Sequence, residues 1–164
     1  MIHKDEPILD ENNQPANPST NIESSIRKML DSQPFSILCT QGDGQPYGSL
    51  VAFAHTGDLK HFFFTTPKAT RKYMLLSKCS RISLVVDTRS EHPNDMKKIE
   101  GVTITGTATE LSPGENYDPG IKMLQERHPY MAEFLAADST ALFRIDVVRY
   151  FHVTRFQEVT QWTP

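Results

Sequence analysis

The sequence predicts a mainly β, α+β fold, an antiparallel six-stranded β-barrel with peripheral helices. Three observations carry this. Apolar runs of strand length recur and are separated by segments rich in Gly, Pro, Asn and Asp. One of them, Val102 to Thr109, is rich in β-branched residues and alternates cleanly at period two. Helical periodicity is confined to short stretches, and only one interrupts the early strands. Short strands with tight turns and few helices favour a closed antiparallel sheet.

Residues 1–19 are rich in Asn, Pro, Asp and Glu and are expected to form a flexible N-terminal arm. Residues 20–164 then form a single domain, a length that can bury a core without staples. Thr20-Asn21-Ile22-Glu23 matches a capping box. Ile22, Ile26, Met29 and Leu30 follow at helical spacing, and Pro34 stops the helix. Phe35 to Thr40 reads as the first strand, and Gln41 to Pro46 supplies turn chemistry. Tyr47 to Ala54 is the second strand, His55 to Asp58 a tight turn, and Leu59 to Thr65 the third strand. Together they predict a meander. Arg81 to Asp87 and Val102 to Thr109 are the fourth and fifth strands. Ser112 to Gly120 reads as a loop. Helices are expected at Ile121–Arg127 and Tyr130–Ala137, broken at His128-Pro129. Ala141 to Phe156 reads as one long bent strand or two.

The helix after the third strand is expected to run from Pro67, at its first turn, to Lys78, with Thr65 and Thr66 before it. Lys68, Arg71 and Lys72 then lie near its N-terminus, where the macrodipole disfavours cations by about 0.3–1 kcal/mol each. An anion docked on the free N–H groups relieves that conflict, with hydroxyls and basic side chains as its clamp. The alternative is an ordinary solvated helix face, since these spacings share one side.

Other features exclude more than they assign. A formal charge of −3 argues against a general nucleic-acid binder. The first residues lack an apolar signal-peptide core and no run approaches membrane-spanning length, so a soluble, cytoplasmic protein is expected. Cys39 and Cys79 allow at most one disulfide and fit no metal spacing, and Cys39 is expected to be a buried free thiol. The six histidines have no metal-ligand spacing, and no Ser-His-Asp set can be assembled. Phe62-Phe63-Phe64 is expected in the core and Trp162 in packing.

The segment Thr66-Pro67-Lys68-Ala69-Thr70-Arg71-Lys72, placed after a third strand, resembles a motif of the pyridoxamine 5'-phosphate oxidase-like FMN-binding split-barrel family. The likeness spans Phe35 to Leu111, with a weaker echo in the strands ending at Trp162. It implies a split barrel that binds FMN. Thr66 and Thr70 would offer hydroxyls to the FMN phosphate, beside Thr65, and Arg71 and Lys72 would offer charge. Backbone of Ser49, Leu50 and Val51 would line the flavin ring. The resemblance also implies a homodimer with FMN sites at the subunit interface and a small-molecule substrate, while the charge and the lack of a spanning run lead us to expect no nucleic-acid or membrane partner.

Three departures bear on the reaction. Tyr47 to Phe53 holds no arginine, the chain ends Thr160-Gln161-Trp162-Thr163-Pro164 without a basic motif, and Gly101 stands where relatives carry glutamine. Fold and flavin carry over, whereas the vitamin B6 substrate does not. The expectation is a flavin-dependent oxidoreductase acting on an unidentified small molecule. Its alternatives are a non-catalytic flavin-binding or sensing module and a haem-handling split barrel.

Overall fold

Asp43 and Gly44 both take positive φ, 55° and 80°, which is the two-residue turn that suits the twist of a hairpin. They join β1 (Phe35–Gly42) to β2 (Gln45–Ala52), paired in register from Phe35↔Ala52 to Gly42↔Gln45. This hairpin opens the sheet in the computed structural model, which describes residues 19–114, 117–155 and 158–164. The chain continues through Phe53 into β3 (Ala54–His55), turns, and forms β4 (His61–Pro67). Then follow α2 (Arg71–Lys78), β5 (Arg81–Asp87), β6 (Gly101–Leu111), α3 (Tyr117–Arg127), α4 (Ala132–Ala136), β7 (Thr140–Thr154) and β8 (Glu158–Trp162). Helix α1 (Ser19–Ser32) precedes them all.

The sheet runs β2-β1-β5-β6-β7-β4-β3, antiparallel throughout, with β8 paired to β7. Its two ends, β2 and β3, belong to one segment, Gln45–His55, broken only at Phe53. The sheet therefore curls back on itself through a single bent strand. Counting that strand once gives the six expected strands, and β8 is a seventh. The expected meander holds only in part. β2 pairs with β1, and only the two residues of β3 pair with β4, at Phe62 and Phe63. Alongside the rest of β2 the barrel is split.

Strand β7 is the hub. One edge pairs with β6 along its length. The other pairs with β4 from Thr140 to Asp146 and with β8 from Tyr150 to Thr154. The switch falls where the β6 register shifts, at a bulge that leaves Val148 exposed.

Two apolar clusters sandwich the sheet. The inner one joins Ile26, Met29 and Leu30 of α1 to Phe53, Phe62, Phe64, Phe143 and Tyr150. Phe64 and Phe143 stack across β4 and β7 at 5.2 Å. The outer cluster joins Phe63 and Leu142 to Leu124 of α3 and Leu135 of α4. Strand β4 is therefore buried on both faces, and Phe62 to Phe64 read as a continuous apolar run for that reason. All three belong to the core, as expected. Helix α3 lies so close that a Cβ on Gly120 would meet the Phe63 ring at 2.7 Å.

Some boundaries differ from expectation. Pro67 is the last residue of β4, in register with Thr140, and does not start a helix. It lacks an N–H to donate, which a strand end tolerates. Its carbonyl accepts the Thr70 N–H at 3.2 Å, making a turn, and α2 starts later, at Arg71. The loop expected over Ser112–Gly120 is cut short because α3 begins at Tyr117 and runs through Pro119 and Gly120. Pro in a first helical turn removes no needed bond. The expected arm, residues 1–19, lies outside the described residues except for Ser19, which opens α1, and the capping box turns on the side chain of Thr20, also outside them. Cys39 and Cys79 are free thiols, each half-buried, so Cys39 is less enclosed than expected. Trp162 packs on Tyr150, ring centroids 5.1 Å apart. Among the described residues no helix is long and apolar enough to cross a membrane.

Candidate functional site at the barrel split

The split opens between two strand edges. β2 is the end of the sheet path, so among the described residues one of its edges has no strand partner. β4 pairs with β3 only at Phe62 and Phe63, so Phe64 to Pro67 leave the matching edge bare. Backbone groups on such edges remain available to a ligand. Ser49 lies on the β2 side, and its buried hydroxyl has no hydrogen-bond partner. Val51 is buried beside it, while Leu50 points the other way and is 64% exposed. These are the residues expected to line the flavin.

The turn into α2 stands at the end of β4. Thr70, with φ −95° and ψ 155°, is the N-cap, and its hydroxyl accepts the Tyr73 N–H. Thr70, not a residue before Pro67, therefore caps the helix. Its Oγ1 also lies 2.8 Å from the Pro67 carbonyl and 2.9 Å from the Thr66 hydroxyl. Each hydroxyl has one proton to give. When Thr70 donates to Pro67, Thr66 donates to Thr70, and only the Thr66 proton is free to swing toward an incoming acceptor. Thr65 stands apart. Strand alternation puts it on the Phe63 face, under the α3–α4 layer, and its buried hydroxyl has no partner.

The basic cluster divides. Lys68 leans away, its Nζ 3.4 Å from the Asp138 carbonyl and its N–H on Ser139. Arg71 and Lys72 stay at the first positions of α2, where amide N–H groups have no helical acceptor. Among the described residues neither has a carboxylate partner. Burial alone pushes the Lys72 ammonium below its usual 10.5. Arg71 is exposed, and its Cζ sits 5.3 Å from the centroid of the Tyr47 ring. Among the described residues, two cations without a carboxylate partner thus stand at a helix start beside a bare strand edge, an arrangement that suits a small anion.

The structure brings Thr66 and Thr70 together, with Arg71 and Lys72 next in sequence. Ser49, Leu50 and Val51 lie along the opposite edge of the split, and Thr65 faces another layer. Sequence reasoning missed Tyr47, whose signal was only an aromatic residue opening the second strand. Among the described residues no cluster of metal ligands exists.

The sequence model of the pyridoxamine 5'-phosphate oxidase family matches residues 22–154. The chain belongs to that family. Strands β1 to β7 and the turn into α2 all fall inside the match. Solved structures with the same fold as this family member include a haem-binding protein from Mycobacterium smegmatis, at TM-score 0.77 and 17% identity. That alignment covers 90% of this chain and 59% of the mycobacterial one, so this chain spans well under two thirds of that protein. A FAD-binding protein from Mesorhizobium loti aligns at TM-score 0.62 and 17% identity, covering 77% of this chain and 90% of the other. A protein from Clostridium acetobutylicum, related to general stress protein 26 of B. subtilis and of the pyridoxinephosphate oxidase family, aligns at TM-score 0.69 and 16% identity. It is covered over 96% of its length, and this chain over 89%. No curated protein matches the chain in sequence.

Proposed function

We propose that this protein binds FMN along the split and acts as an FMN-dependent oxidoreductase on a small molecule. The observation that carries the reading is the pair Arg71 and Lys72, without carboxylate partners among the described residues, at the helix end of the bare β4 edge. A phosphate dianion matches that pair, with Arg71 suited to bidentate contact and Lys72 acting as a point charge. The free edge of β2 at Ser49 to Val51 supplies backbone groups for the polar rim of the ring. Bound flavin supplies hydride or single-electron chemistry. The chain's own part is to fix the phosphate, orient the ring and keep one face open to substrate.

A second copy of the chain completes this arrangement. Leu50 and Phe35 are exposed on the outer face of the β1–β2 hairpin, beside Ile37 and Val85. An apolar patch of this kind is what a homodimer buries. Its position beside the split supports sites shared between subunits. We assign such a dimer to the cytoplasm.

The haem-binding protein of the same fold defines the rival reading. It asks for an imidazole with a free ring nitrogen. His55 and His128 hold both ring nitrogens against other groups. His61 and His152 hold one each, against Asp146 and Glu100, the kind of partner that orients a metal-ligating imidazole. The preference for flavin therefore rests on the cation pair, which suits a phosphate. The test is the absorption spectrum and cofactor mass of purified protein, titrated with FMN and separately with haemin. Uptake of FMN with flavin absorption is expected. A Soret band with no uptake of FMN would overturn the reading. Bound FMN that neither NADH nor NADPH reduces, and that reoxidises without product, would reduce the role to flavin binding.

A further inference from the structure

Arg71 has five donors on a flexible stem and, among the described residues, no carboxylate to hold it, and it starts a helix whose dipole repels it. Left free, it would pay much of its ordering entropy at the moment an anion arrived. The Tyr47 ring changes this. The guanidinium carbon lies 5.3 Å from its centroid, inside the range of cation–π attraction. A carboxylate partner would occupy the donors that an anion needs. Stacking on a ring face leaves the in-plane N–H edge free.

Tyr47 is itself held. It pairs with Thr40 in the hairpin, and its carbonyl accepts the Thr40 hydroxyl at 3.2 Å. The far end of α2 is tied to the same hairpin by Lys78, 3.3 Å from Asp43 at the turn. Leu75 packs against Gly42 between them. The hairpin thus meets α2 at both ends, and the Tyr47 ring on which Arg71 rests is carried by a paired strand residue.

We propose that Tyr47 is the positioning residue of the anion site, presenting the Arg71 guanidinium to the phosphate of the bound flavin nucleotide. The proposal rests on the flavin reading and assigns Tyr47 to the phosphate, with no contact to the flavin ring. It makes FMN and riboflavin, which lacks the phosphate, the discriminating pair of probes.

The experiment measures affinity for both probes in wild type, Tyr47→Phe, Tyr47→Thr, Tyr47→Val, Arg71→Ala and the double variant Tyr47→Thr/Arg71→Ala. Thr and Val are strand formers that keep the Thr40 ladder while removing the ring. Each serves if the other folds poorly, with circular dichroism as the check. Loss of the stack is expected to weaken FMN roughly two- to five-fold and to leave riboflavin unchanged. Tyr47→Phe keeps wild-type affinity for both. In the Arg71→Ala background, removing the ring adds no further loss. Unchanged FMN affinity in Tyr47→Thr and Tyr47→Val, an equal loss of riboflavin, or a full additional loss in the double variant each overturns the role of Tyr47 while leaving the flavin reading intact. Wild type that takes up neither probe overturns the flavin reading, and this proposal with it.

Discussion

The Nε2 atom of His128 lies 2.9 Å from the carbonyl oxygen of Phe53, joining the α3–α4 link to the break between β2 and β3. That carbonyl sits where the bent strand leaves one ladder and enters another, so it needs a partner from outside the sheet. His128 donates to it, while its Nδ1 faces the Tyr130 hydroxyl at 3.4 Å. Arg127, next in the chain, sets its guanidinium 4.7 Å over the Phe53 ring and reaches the carbonyls of Leu30 and Gln33 at the end of α1. Replacing His128 with Ala should cost about 1–3 kcal/mol from the stranded carbonyl, with a further loss from the vacated space. Urea unfolding gives the number. A variant as stable as wild type would show that the closure is held elsewhere.

A second stability test lies in the outer layer. Gly120→Ala puts a methyl against the Phe63 ring, which is itself packed among Leu124, Leu135 and Leu142. Overpacking at such a site costs about 1–3 kcal/mol, outweighing the roughly 1 kcal/mol gained in helix propensity. Thermal melting should show a lower Tm, and an unchanged or higher Tm would mean α3 can move away freely.

The Tyr150 hydroxyl donates to the Leu59 carbonyl at 2.6 Å, deep in the core. Burial pushes its pKa far above that of an ordinary phenol, so it stays protonated. It holds a turn in which Leu59 adopts a φ of 59°. Tyr150→Phe should destabilise by about 1–3 kcal/mol through the unsatisfied carbonyl. Calorimetry at neutral pH tests this.

The cation pair carries the function. Arg71→Ala with Lys72→Ala should abolish measurable FMN uptake at micromolar concentration and leave the circular dichroism spectrum unchanged. Retained affinity would move the phosphate elsewhere on the molecule.

Lys72 should also give the site a pH signature. Burial lowers its pKa in the folded chain, so folding penalises its charged form. That penalty is fully present while Lys72 is protonated in both folded and unfolded states, and it fades as pH rises through the folded value toward 10.5. Lys72→Met should therefore leave stability at neutral pH unchanged or slightly raised, within about 0.5 kcal/mol. Its FMN affinity should fall roughly ten-fold or more, the worth of a charge-assisted hydrogen bond. In wild type, affinity should decline as pH rises and the ammonium is lost, and Lys72→Met should lack that decline. Fluorescence titration across the alkaline range reads both.

The sequence was most legible where one side chain face decides the structure. Ile82, Leu84 and Val86 point into the core and their neighbours do not, so period two alone located β5, and the threonines of β6 mark its outer face in the same way. The break at Phe53 was invisible because its partner, His128, comes from the distant α3–α4 link. Pro67 misled because proline suits a first helical turn and a strand end alike, and only its pairing with Thr140 decides between them. The basic cluster was legible as charge. Its division depends on partners remote in sequence, Asp138 before β7 for Lys68 and Tyr47 in β2 for Arg71.

The position of β7 between β6 and β4 has a consequence for how the protein is made. The β1–β2 hairpin can form as soon as its short turn leaves the ribosome, and β5 and β6 can add to it. β4 must wait, because its long partner is β7, synthesised only after β5, β6, α3 and α4. Until Thr140 to Asp146 emerge, the apolar edge of β4 has only the two residues of β3 beside it. Closure is therefore a late, non-local event, of the kind that slows folding and exposes nascent chains to chaperones.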